Sequence, residues 1–131
     1  MKRDLTNNIG IEQGLAPAVK SSASETGDPV DLRGFESATV VINTGAIAGD
    51  GDFSVKVQHS DTTTGGDFED VPAAKLIGEF PATLEAASTY RQGYIGMKRY
   101  IRLVLTRASG TSIALGATVI KGHPADMPVA A

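Results

Sequence analysis

The chain predicts an all-β fold: an antiparallel β-sandwich or jelly-roll-like barrel with extended N- and C-terminal arms. Three observations carry this expectation. Short segments alternate apolar and polar residues at a period of two, they recur at spacings of roughly 8 to 15 residues, and Gly- and Asp-rich turns separate them. The clearest segment is Arg99–Arg107, in which Ile101, Leu103 and Leu105 share one face and Tyr100, Arg102, Val104 and Thr106 the other. The first face is core. The second is amphipathic, with Arg102 expected to lie half-covered by a neighbour.

The first 27 residues carry scattered aliphatic side chains (Leu5, Ile9, Ile11, Leu15, Val19) among Gly10, Gly14 and Pro17. Neither a helical nor a strand period persists there, so residues 1–27 are expected to form an extended arm. The packed domain, residues 28–121, then opens with Val30–Leu32 after the Gly27-Asp28-Pro29 turn. Glu36–Thr44 reads as an interior strand with both faces covered, and Asp50-Gly51 marks a hairpin. Asp52–Ser60 alternates strictly, Phe53, Val55 and Val57 inward against Ser54, Lys56 and Gln58. After Asp61–Asp67 turns, Phe68–Val71 returns and Pro72 ends the pairing. Residues 73–89 stay open between a short strand at Leu76-Ile77 and a helical turn over 82–87. Tyr90–Ile95 is a strand whose Gly93 points to a bulge or a close crossing, and residues 112–119 alternate as the final strand. Residues 122–131, with Pro124 and Pro128, read as an extended C-terminal tail.

Composition narrows the function. A chain of 131 residues is one domain by size. Only 5% of it is aromatic and it has no Trp, so its core must be Val, Ile, Leu and Ala, which favours strands over a large cofactor pocket. Net charge is -3 and the 12 Lys and Arg are scattered, so nucleic acid is not an expected partner. The absence of Cys removes disulfides and thiolate chemistry. No apolar run reaches signal-peptide or membrane-span length, so a soluble protein made in the cytoplasm, with no membrane partner, is expected.

Candidate sites are weak. His59 and His123 stand at no ligand spacing, and Asp50, Asp52 and Asp61 lack the twelve-position calcium pattern and its closing Glu. No Gly-x-Ser-x-Gly elbow and no phosphate-cradling loop occurs. The expectation is therefore no enzyme, no metal and no cofactor.

Four segments nevertheless resemble small proteins encoded beside the major capsid protein in the head modules of tailed phages and prophages. They are Asn8–Ala18 (Asn-Ile-Gly-Ile-Glu-Gln-Gly-Leu-Ala-Pro-Ala), Val30–Ser37 (Val-Asp-Leu-Arg-Gly-Phe-Glu-Ser), Gly93–Arg102 (Gly-Tyr-Ile-Gly-Met-Lys-Arg-Tyr-Ile-Arg) and Gly116–Pro128. The resemblance spans nearly the whole chain and implies a capsid decoration, or cement, protein on the outer surface of the virion. Its partners would be the major capsid protein and, as a trimer or dimer, itself. The two aliphatic-dotted arms would then make the capsid contacts, through Leu5, Ile9, Ile11 and Leu15 of the first and Met127 and Val129 of the second, for instance by adding a strand to a neighbour's edge. The alternatives are a head-tail joining or tail protein, or a carbohydrate-binding jelly roll displayed on the virion.

Overall fold

The computed structural model describes residues 3–126, 128 and 129. Among these residues there are ten strands and no α-helix: β1 (Gly10–Lys20), β2 (Ser24–Thr26), β3 (Val30–Asp31), β4 (Phe35–Ala48), β5 (Asp52–Ser60), β6 (Glu69–Asp70), β7 (Leu76–Ile77), β8 (Thr89–Tyr94), β9 (Tyr100–Ser109) and β10 (Ser112–Pro124). One sheet runs β1-β10-β4-β8-β7; the other runs β2-β9-β5-β6, with β3 also on β9. All pairings are antiparallel. The pairs β1/β10, β2/β9, β4/β8 and β5/β6 nest one inside the next along the chain, which is the winding of a jelly roll.

Period-two alternation places the core between the sheets. Ala38, Val40 and Ile42 of β4 and Ile113, Leu115, Ala117 and Val119 of β10 face Val55 and Val57 of β5 and Ile101, Leu103 and Leu105 of β9, all buried. Leu84, from the long loop between β7 and β8, plugs one end, its N–H donating to the Phe53 carbonyl at 2.8 Å. Residues 82–87 are therefore not helical; that loop is held by its buried leucine. Arg102 is half-covered as expected: its guanidinium lies 4.2 Å from the Phe68 ring centroid, and its Nε donates to Gln58 Oε1 at 2.8 Å. Gly93 pairs with Ile77 in a close approach, since a Cβ there would stand 3.2 Å from the Ile77 Cβ and the neighbour would have to give by a few tenths of an ångström.

The expected terminal arms are corrected. Residues 10–20 are a full strand of the first sheet, with Leu15 only 2% exposed. The chain then crosses to the second sheet as β2, and the buried Lys20 pairs with Glu25 at 2.9 Å across that crossing. Alternation was hidden because the β1/β10 register shifts twice, between Gln13 and Leu15 and between Leu15 and Ala18, around Pro17. At the other end β10 runs on to Pro124, so the tail begins later than residue 122. Asp50-Gly51 likewise makes no hairpin. Gly49 and Asp50 both adopt positive φ, but β4 and β5 lie in different sheets, and this corner packs on the one at Gly110.

Two outcomes test this arrangement. Val57→Asp should lower stability by about 2 to 5 kcal/mol, because it buries a carboxylate with no partner. Lys56→Asp breaks only an exposed pair with Asp70 and should cost under about 1 kcal/mol; similar melting temperatures for the two variants would contradict the register. A chain shortened to begin at Gly27 should fail to show a cooperative melt, since it strips β1 and β2 from both sheets.

Candidate functional site

The sandwich gathers polar side chains at the end where β3, β4, β8 and β9 meet. A cleft of about 540 Å³ opens there, lined by Arg33, Phe35, Ser37, Asp61, Tyr94 and Lys98 among others. Beneath it the two sheets are joined by one polar contact in the core: the His59 Nδ1 of β5 lies 2.8 Å from the Tyr94 hydroxyl of β8, ring edge to ring face. The Lys98 N–H donates to the same phenol oxygen at 3.1 Å, which leaves the phenol proton for His59. A neutral imidazole with Nδ1 as acceptor satisfies both hydrogen bonds, although the phenol oxygen has lone pairs enough to accept from Nδ1 as well. Burial, the largest influence, holds the His59 pKa below its usual value; Glu69 and Asp61 pull it up and Lys98 pushes it down. Burial also raises the Tyr94 pKa.

At the rim, Arg99 holds Asp31 with two hydrogen bonds, at 2.9 and 2.8 Å, which tie β3 to the start of β9. That fork, more than any other influence, keeps the Asp31 carboxyl down at about 2. Lys98 pairs with Asp61 at 3.1 Å. Asp61 and Asp52 end opposite ends of β5, roughly 30 Å apart along an extended strand, and Asp52 accepts a hydrogen bond from Thr83. The three turn aspartates do not converge.

A second cleft, about 620 Å³, lies where the N-terminal turn meets the end of β10, lined by Leu5, Asn8, Ile9, Ser37, His123 and Pro124 among others. Here Ser37 Oγ and His123 Nδ1 are 2.7 Å apart, and among the described residues no carboxylate hydrogen-bonds to His123. The chain ends are fastened at this place. Asp4 accepts two hydrogen bonds from Asn7, the Ala125 N–H donates to the Gly34 carbonyl, and the Val129 N–H donates to the Asn7 carbonyl at 2.8 Å.

The six residues singled out in the arms therefore separate. Leu5, 66% exposed, and the half-buried Ile9 line this second cleft, and Val129 reaches the same turn through its main chain. Ile11 is exposed but lies on the outer face of the first sheet, opposite Ile120. Leu15 is core and cannot touch a partner; Met127 lies outside the described residues. The His59–Tyr94 link was not legible in sequence, because the two residues lie 35 positions apart on strands of different sheets.

No family model and no curated protein matches the chain. Among solved structures it is similar to YomS, a protein derived from the SPBc2 prophage, with a TM-score of 0.54 at 13% identity, covering 88% of this chain and 94% of that one. It is also similar to PirA (TM-score 0.43, 16% identity, 92% of this chain and 98% of that one) and to a chain in the structure of infectious bursal disease virus, Gx strain (0.46, 10%, 88% and 32%). At these identities the likeness to YomS is one of fold.

The lowered His59 pKa gives a pH test. The unfolded chain binds this proton more tightly than the folded one, so the stability due to neutral His59 is complete above its ordinary value of 6.5 and is lost as pH falls below it toward the lowered one. The melting temperature should drop between about pH 7.5 and pH 5, and His59→Gln should flatten that drop. A drop unchanged in the variant would place its cause elsewhere.

Proposed function

We propose that this chain is a structural protein of a tailed-phage or prophage particle, a decoration protein that binds the outside of the expanded head and ties neighbouring major-capsid subunits together. The observation that carries the reading is the gathering of Leu5, Ile9 and Val129 at one end of the jelly roll, beside a cleft of about 620 Å³. An aliphatic side chain such as Leu5 gains about 1.5 to 3 kcal/mol when a partner covers it. The segmental resemblance to proteins encoded beside the major capsid protein, and the fold shared with a prophage protein, support the same reading.

The chain holds subunits and does no chemistry in this reading; Ser37 and His123 serve to fasten β4 to β10. A sugar-binding role is disfavoured by the tyrosines: Tyr94 is buried, Tyr90 and Tyr100 are half-buried, and Arg99 lies 4.9 Å over the Tyr100 ring, so none forms an open platform.

The purified protein should co-sediment with empty expanded heads of its own phage and not with unexpanded ones. Leu5→Asp with Ile9→Asp should weaken binding at least about tenfold, the loss of roughly 1.4 kcal/mol, without lowering the melting temperature, because neither side chain is in the core. No co-sedimentation, or assembly into rings on its own, would overturn the reading in favour of a joining or tail role.

A further inference from the structure

β5 is nine residues long, but β6, its neighbour at the sheet edge, pairs with it only at Gln58 and His59. Beyond that pairing the Val57 carbonyl accepts from the Val71 N–H at 3.1 Å, and the Phe53 carbonyl from the Leu84 N–H at 2.8 Å. Both carbonyls therefore point away from β9, and by the alternation of an antiparallel ladder so do the N–H and C=O of Val55 between them. Among the described residues neither group has a hydrogen-bond partner, although Val55 is only 6% exposed. They open on a cleft of about 590 Å³ at the free side of the sandwich, walled by Val57, Val71, Leu76 and Phe80. Gln92 of β8 faces it from the other sheet: it is 7% exposed, its Nε2 donates to the Gly78 carbonyl at 3.1 Å, and no described residue donates to its Oε1.

We propose that this cleft is a peptide site, which takes a three-residue extended segment with an aliphatic central residue and so continues the line of β6 along the edge of β5. The unpaired groups select the occupant. A purely apolar ligand would leave the Val55 N–H and C=O stranded, and water would leave the apolar walls wet, whereas an extended main chain brings an acceptor and a donor to Val55 and an aliphatic side chain to the walls. Antiparallel to β5, as β6 is, the central residue exchanges two hydrogen bonds with Val55, and its side chain falls on the same face as Val55, between the two sheets. The Gln92 carboxamide, held by Gly78, adds an acceptor on the opposite wall. The frame sets the length. The chain leaves the second sheet for the first after Val71 and returns to β5 at Leu84, so the opening runs from Phe53 to Val57, roughly 13 Å, which is room for three extended residues at roughly 3.3 Å each.

Amide-resolved NMR of the full chain, titrated with the peptide acetyl-Ser-Val-Ser-amide, tests this. In the free protein the Val55 amide should exchange with solvent at least about tenfold faster than those of Ser54 and Lys56, which point to β9. The peptide should shift the Val55 and Val57 amides saturably, with a dissociation constant of about 1 mM or below, and should slow exchange at Val55. Methylating the nitrogen of the peptide's valine removes the donor to the Val55 carbonyl and should weaken binding at least about tenfold, and an aspartate in place of that valine should do the same. Ala73→Trp, at an exposed position lining the cleft, should fill the opening and abolish binding with an unchanged melting temperature. No saturable shift at about 10 mM peptide, shifts centred elsewhere, equal binding of the N-methylated peptide, or a Val55 amide already protected in the free chain would overturn the inference.

Discussion

The hydrogen-bonded pairing of each early strand with a late one is the constraint on which everything else in this molecule depends. β1 lies on β10 and β2 on β9, so residues 78 to 111 positions apart must meet before either sheet has its edge. Among the described residues, consecutive strands pair only at β5/β6 and β7/β8. Loop closure over such separations is entropically expensive and slows folding, and the native ladder must offset it. The offset is visible in how densely the inner faces are apolar: Ile42, Phe53, Ile101, Leu103 and Ile113 are all fully buried. It also explains why the chain ends, which look dispensable in sequence, are fastened at Asn7, Gly34 and Glu25.

Legibility in the sequence followed the regularity of the local pattern. β5 was readable to the residue, and the inner faces of β9 and β10 were assigned correctly, because strict alternation survives wherever a strand has one covered side and no bulge. β1 was not readable. Its two register shifts bring Gly14 and Leu15 inward in succession, and Pro17 removes a donor, so no single period describes it. The Asp50-Gly51 turn was readable as a turn but not as a corner between sheets, since its local geometry is the same in either setting and only the pairing of β4 with β10 decides. The candidate site was less accessible still. Leu5 and Ile9 could be marked as unexplained aliphatics, but their meeting with His123 and Val129 is a property of the closed jelly roll.

The two clefts, which adjoin at Glu36 and Ser37, have different physical characters. Around Asp31, Asp61, Lys98 and Arg99, opposite charges are matched in partly exposed pairs, and such pairs fix geometry more than they add stability. Deeper, the neutral His59–Tyr94 contact satisfies polar atoms that would otherwise be stranded between the sheets. The cleft at the chain termini sets Leu5, Ile9 and Pro124 among Arg3, Asp4, Glu36 and His123, so a partner there meets apolar and charged groups together.

The broken register of β1 bears on how the protein tolerates crowding. A long, straight edge strand offers a continuous row of main-chain donors and acceptors, and identical molecules held close together would zip into fibrils through it. The shifts on either side of Leu15, the second of them spanning Pro17, interrupt that row. Contacts made along this edge are thereby left to its side chains, which can be specific and reversible even where many copies stand side by side.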